Sequence, residues 1–431
     1  MLKNWSKIAL ASVLVLMLGA AVANATTARV RSLANVGDYI SDDSAVNRWY
    51  STLVSFANQV NAEMGDWTGT DLTDSRGLGW NFAAGEDGKW GTYRLSLNEA
   101  SLSHPGFWIG NPFYQFHAPN ENGFPFVGDL DFPYTETPLN RWDIAGAWEI
   151  GESFALGASI TESKWSFSDD AAGIESDNSW LVIGLGGTWT NNEDMVLDVL
   201  FNFGNAGGAT SNSIAGTNQE WDSGTAFEIA GRLFYDWKDN LTVVPVVDFA
   251  TSDYSLTETP VALPTPNGQK TTDFLIGVGL NMDVNQDNML VCAVEWLDHK
   301  TEYSNEDTTA AAVAKVSANI LPNIRLSLES QITSWLTTRI GATKSIGSIK
   351  SEANNGDEIK DTPGTPTPFF DVDGFEWFLG AGFTFAEWTV DLELAPETPF
   401  GLGYWLTGYN QIWDDTAGFG PVGRISAAYN Y

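Results

Sequence analysis

Cysteine and histidine are almost absent. Cys292 stands alone in 431 residues, and the histidines are His104, His117 and His299. A single cysteine excludes an intramolecular disulfide. The three histidines carry no local Ser-His or acid-His motif, and no metal-spaced cluster surrounds them. A phosphate-binding glycine loop, a nucleophile elbow and the ligand spacing of an EF-hand loop are also lacking. The sequence therefore predicts no catalysis, no cofactor and no metal. Cationic residues are scarce too: 21 Lys and Arg face 55 Asp and Glu, a formal charge of −34. Such a chain repels nucleic acid and anionic surfaces. Acidic pairs such as Asp169-Asp170, Glu306-Asp307, Asp357-Glu358 and Asp414-Asp415 read either as hydrated loops or as cation-attracting ones.

Long apolar runs are missing beyond the first 25 residues, and mean hydropathy is only −0.14. A helical span needs about 20 consecutive apolar residues, so a helical inner-membrane protein is excluded. The one apolar run reads as an export signal. Lys3 and Lys7 form a basic start, Ile8 to Ala23 an apolar core, and Ala23-Asn24-Ala25 a small-x-small cleavage box. Position 26 is Thr and not Cys, which argues against a lipid anchor. The expected divisions are a signal peptide at 1–25, an N-terminal segment at 26–50 and one domain at 51–431.

What is abundant is aromatic and glycine content, with 19 Trp and 42 Gly, set in segments of strict two-residue alternation. Thr225, Phe227, Ile229, Gly231, Leu233, Tyr235 and Trp237 interleave with Ala226, Glu228, Ala230, Arg232, Phe234 and Asp236. The same split places Trp142, Ile144 and Trp148 opposite Asp143 and Glu149, and Leu197, Val199 and Phe201 opposite Asp198 and Asn202. Side chains of a strand alternate between faces, so each segment has one greasy face and one polar face. Short links fall at 85–88, 151–153, 191–194, 238–240, 285–288, 332–334 and 386–387. Between them lie long links at 99–139, 169–178, 205–222, 255–271, 302–322, 347–373 and 396–418. Trp148, Trp189, Trp237, Trp335 and Trp388 cluster at the short links, as an aromatic girdle at headgroup depth would. This pattern predicts an all-β fold: a transmembrane antiparallel up-and-down β-barrel of about 14–16 strands, with short periplasmic turns and long extracellular loops.

The chain closes with Arg424-Ile-Ser-Ala-Ala-Tyr429-Asn-Tyr431. Its terminal aromatic, with a second two residues earlier, resembles the signal that the outer-membrane assembly machinery reads, with Ser426 where that signal has glycine. The expected partners are therefore outer-membrane lipid, that machinery and small solutes.

Residues 28–51 break the alternation. Arg31-Ser-Leu33, Gly37 and the paired acids Asp42-Asp43 resemble the segment before the barrel in FadL-type and PorV-like outer-membrane proteins. Trp49-Tyr50-Ser51 replaces that family's Asn-Pro-Ala. The resemblance implies a hatch inside the barrel. It further implies uptake of hydrophobic molecules in one branch and a structural, secretion-partner role with a blocked lumen in the other.

Candidate pore-lining charges on the polar faces are Asp143, Glu149, Asp198, Glu228, Arg232, Glu295, Arg325, Glu329, Arg339, Glu376, Asp391 and Arg424. Charges within a membrane wall either line water or pair with one another. The loop at 99–139 carries Phe107, Trp108, Phe113, Tyr114 and Phe116 among six prolines. It is read as a constriction, as a collector of apolar ligands or as an extracellular cap. The function these features imply is passive passage of small solutes across the outer membrane, mildly favouring cations.

Overall fold

The computed structural model describes residues 27–65, 75–85, 88–99, 140–169, 173–191, 194–213, 217–259, 266–305, 313–353, 358–359, 375–394 and 422–431. The expected leader and the aromatic loop at 99–139, with Phe107, Trp108, Phe113, Tyr114 and Phe116, lie outside them, apart from Glu99.

Seventeen strands follow in chain order. The first group is β1 (Gln59–Gly65), β2 (Ser75–Ala83), β3 (Thr92–Glu99), β4 (Asn140–Ile150), β5 (Phe154–Asp169) and β6 (Ile174–Asn191). Then come β7 (Met195–Asn212), β8 (Thr217–Lys238), β9 (Leu241–Thr259), β10 (Pro266–Asn285), β11 (Asn288–Asn305) and β12 (Val313–Thr333). The last are β13 (Leu336–Ala353), the two-residue β14 (Glu358–Ile359), β15 (Phe375–Phe385), β16 (Trp388–Leu394) and β17 (Val422–Asn430). Each pairs antiparallel with its neighbour, β13 passes to β15, and β17 pairs with β1 through Gln59 and Asn430. The sheet is thereby a closed barrel of 16 wall strands, with β14 a short addition to β13.

Closure is what lets a sheet sit in lipid, because no edge is left with unpaired backbone groups. The alternation gives the two faces their solvents. Along β8, Phe227 and Ile229 are exposed whereas Glu228 and Arg232 are buried. The exposed set runs around the wall through Ile144, Leu185, Phe201, Ile276, Leu326 and Ile340. An apolar belt of this extent does not belong in water; it fits acyl chains.

All seven predicted short links fall between strands that pair with each other. Gly151 takes φ of 69° in the β4–β5 turn and Ala386 takes 53° between β15 and β16, the left-handed geometry such tight connections need. The long links differ from expectation. The spans 169–178, 205–222, 255–271 and 302–322 are mostly continued strand, because backbone pairing runs on to Asn212–Thr217, Asn218–Thr259 and Pro266–Asn305. β8 has 22 residues, where about 9–11 suffice to cross a bilayer. The greasy face ends at the membrane, but the hydrogen-bond ladder does not. That end of the alternation is polar on both faces, and so it reads as loop.

The opening of the wall is also later than position 51. Tyr50–Phe56 forms a 3-10 helix and the wall starts at Gln59. Tyr50, Ser51 and Leu53 are buried, packed against the inner faces of β4, β5 and β6.

Candidate luminal gate

Residues 27–58 lie against the inward faces of the wall. The segment opens with helix α1 (Thr27–Ser32), continues through a 3-10 turn at Asp43–Asn47, whose N-terminus is capped by Asp42, and ends in the 3-10 turn at Tyr50–Phe56. Its apolar side chains Val30, Leu33, Val36, Tyr39 and Ile40 cluster with Val244, Val246, Leu275, Val291, Ala293, Leu297 and Ile320 of the wall. The interior is thus partly an ordinary hydrophobic core.

Polar ties follow the same path around the barrel. The Ala28 amide donates to Ser426 of β17, and Arg31 pairs with Glu393 of β16 at 3.0 Å. Arg29 forms a two-pronged pair with Glu329 of β12 at 2.7 and 2.8 Å, the geometry that gives arginine its strongest carboxylate bonds. Ser327 and Arg325 donate to the carbonyls of Leu33 and Ala34, each at 2.7 Å. Asn281 of β10 donates to the Tyr39 carbonyl. Arg232 of β8 donates to the carbonyls of Gly37 and Ile40.

The densest knot surrounds Arg48. Its guanidinium donates to both oxygens of Asp38 at 2.8 and 2.7 Å, to Glu228 at 2.7 Å and to Asp248 at 2.5 Å. Asn202 supports Glu228 and accepts from the Tyr50 hydroxyl. Trp49 donates to Asp38, and the guanidiniums of Arg48 and Arg232 lie over its ring at 5.1 and 4.6 Å. Burial opposes charge on Arg48, but the carboxylates of Asp38, Asp248 and Glu228 outweigh it and hold the guanidinium well above its ordinary value. Asp43 behaves oppositely. Burial first, then the neighbouring Asp42 charge, push its carboxyl well above the usual range, against one bond from Gln59.

Glycines shape the seat. A Cβ on Gly157 would lie 2.4 Å from the Ser51 amide nitrogen, and one on Gly184 would lie 2.1 Å from the Tyr50 ring. On Gly279 it would meet Tyr39 at 2.4 Å, on Gly341 the Ala34 nitrogen at 2.6 Å, and on Gly380 Ser32 at 2.3 Å. These wall positions point inward, and only a missing side chain lets the segment approach.

The structure brings most of the candidate charges together in pairs. Asp198 pairs with Arg232, Glu228 with Arg48, Glu295 with Arg325, and Glu329 and Asp391 with Arg339. Asp143 accepts from Ser96 and Thr161. Glu149 and Glu376 are exposed at the ends of their strands. The side chain of Arg424 lies outside the described residues; its backbone stands opposite Glu393. Sequence reasoning did not single out Arg48, Asp38, Asp248 or the glycine seats. A lone arginine beside Trp49-Tyr50 in a segment without alternation was the available signal.

A closed antiparallel barrel with an apolar belt, short turns at one end and a polar, occupied interior defines a transmembrane barrel of the outer-membrane class. No family model and no curated protein matches the chain. Among solved structures it is similar to a FadL homologue from Pseudomonas aeruginosa, at 12% identity and TM-score 0.39 over 96% of this chain and 99% of that one. It is also similar to the toluene transporter TodX of Pseudomonas putida, at 7% identity and TM-score 0.40 over 96% and 98%. The copper transporter OprC aligns at 12% identity and TM-score 0.43, over 78% of this chain and only 52% of its own length. Nothing about cargo follows from likeness at this level.

Proposed function

We propose that this protein is a gated outer-membrane transporter for small polar solutes, mildly favouring cations, and that residues 27–58 are its hatch. The supporting observation is the Arg48 knot, where a segment outside the wall is held inside it by exchangeable ion pairs. An unobstructed passive pore has no use for such a segment. Two further features support the solute class. Ten buried carboxylates (Asp38, Asp42, Asp43, Asp198, Glu228, Asp248, Asp273, Glu295, Asp391 and Glu393) outnumber five buried arginines (Arg48, Arg94, Arg232, Arg325 and Arg339) among the described residues. The inward face also carries buried hydroxyls at Thr271, Thr301, Thr343 and Ser345, which suit polar cargo better than the hydrophobic molecules that the FadL resemblance implies.

Planar-bilayer recording tests this reading. The intact chain should be nearly silent, and a chain lacking residues 27–57 should open stable steps with a cation-selective reversal potential in a salt gradient. Equal conductance from both chains would remove the hatch role.

A second reading keeps the segment as a permanent filling, in a PorV-like structural or secretion-partner barrel. The tight glycine seats favour it. Solute uptake by cells carrying the intact protein separates the two, because a permanent filling passes nothing.

A further inference from the structure

Farther from the short turns than the Tyr39 seat, β10 and β11 place three inward side chains in line. Asp273 and His299 are register partners on the two strands. The Asp273 carboxylate lies 2.5 Å from Nδ1 of His299, and Nε2 of the same ring lies 2.9 Å from Oγ1 of Thr301. The Asp273 contact fixes the tautomer: Nδ1 carries the hydrogen and donates to the carboxylate. In the neutral ring Nε2 is then an acceptor, to which the Thr301 hydroxyl donates. Thr271 adds a second hydroxyl 3.5 Å from the Thr301 oxygen. His299 and Thr301 share a face because they are two apart on one strand, and Asp273 reaches the ring from the neighbouring strand.

A hydroxyl bonded to an imidazole that is held in turn by a carboxylate is the arrangement of nucleophile, general base and orienting acid. All three side chains are nearly removed from water, which strengthens each electrostatic contact. The site lies on the long-loop side of the Tyr39 seat at Gly277 and Gly279.

We propose that Thr301, His299 and Asp273 form an acyl-transfer site acting on small esters in the lumen. Thr301 Oγ1 bonds to the ester carbonyl carbon as its proton passes to Nε2 of His299. The carbon–oxygen bond to the alcohol breaks, and the alcohol leaves with that proton. Water then hydrolyses the acyl-threonine by the same exchange, returning the hydroxyl. Thr271 supplies a donor to the carbonyl oxygen as it gains charge. The residues contributed by β10 lie 26 to 30 positions from those contributed by β11, so no contiguous motif announces them.

The test uses the folded full chain in detergent, a small dialkyl phosphorofluoridate as probe, and mass spectrometry of the peptide containing Thr301. Its hydroxyl should form the phosphorus–oxygen bond with loss of fluoride. Thr301→Ser should label at least as fast, since it keeps the hydroxyl without the methyl group. His299→Gln should label about 100-fold more slowly or less, and Thr301→Val should not label at all. Heat-modifiable migration on gels reports that each variant is a folded barrel. Folded wild type with an unmodified Thr301 peptide would overturn the proposal, as would a folded His299→Gln that labels as fast as wild type.

Discussion

Arg48 of the luminal segment and Glu228 of the wall meet at 2.7 Å with their side chains 2% and 0% exposed. The wall's Asp248 and the segment's own Asp38 converge on the same guanidinium. Removing one partner from a buried charge group leaves uncompensated charge, which costs about 3–5 kcal/mol. Arg48→Met should therefore unseat the hatch while leaving the closed wall intact. Bilayer recordings should gain open steps, and limited proteolysis should clip residues 27–58 without touching the barrel. Combining it with Asp38→Asn, Glu228→Gln and Asp248→Asn should restore much of the silence.

The glycine seats allow a test of the hatch without changing charge. At Gly157 an added Cβ meets the backbone of Tyr50 and Ser51, at 2.4 Å, and no side chain can swing aside. Gly157→Ala should disfavour docking by about 1–3 kcal/mol and raise conductance. Gly207→Ala, whose Cβ would meet nothing within 4 Å, should behave as wild type.

Locking should have the reverse effect. Ser51 Oγ of the segment and Thr188 Oγ1 of the wall lie 2.8 Å apart, within about an ångström of a sulfur–sulfur bond. In a Cys292→Ser background, Ser51→Cys with Thr188→Cys should oxidise readily. Solute uptake should stop on oxidation and return on reduction. Uptake that ignores the redox state would mean that this part of the segment does not move.

Asp43 sets a pH dependence whose sign follows from its raised carboxyl. A carboxyl whose value is higher when docked than when free binds a proton on docking. Its penalty is absent below the ordinary aspartate value, about 4, grows as pH rises, and is complete above the docked value. Asp43→Asn should thus tighten docking at neutral pH and match wild type in acid. Conductance of the two forms compared across pH reads this difference.

Closure of the wall depends on the last residues. The Tyr431 amide donates to the Asn58 carbonyl, its hydroxyl accepts from Trp80 at 2.6 Å, and Tyr429 lies 4.8 Å from the Trp388 ring. Tyr431→Ala should lower the fraction of heat-modifiable, assembled barrel in cells more than it lowers the stability of barrel already formed.

The wall was legible because its information is local. Two-residue alternation in β8 or β10, tight links such as Gly151–Ser153, and tryptophans beside them each follow from what lipid and headgroups demand of a single strand. A range of about 14–16 wall strands and the inward or outward sense of Glu228 and Ile229 could be read by the same rule. The extended strand ends could not, since pairing continues where neither face is apolar.

The sequence alone determined a membrane barrel, because the solvent on each side of a strand is written in alternate residues. Only the tertiary structure decided what fills it. Arg48 finds Glu228 180 positions away and Asp248 200 positions away, and Ser51 reaches Gly157 only because the closed sheet curves back around it. Contacts made by closing a cylinder join residues from strands far apart in the chain, and no local pattern encodes which of them will face each other across the lumen.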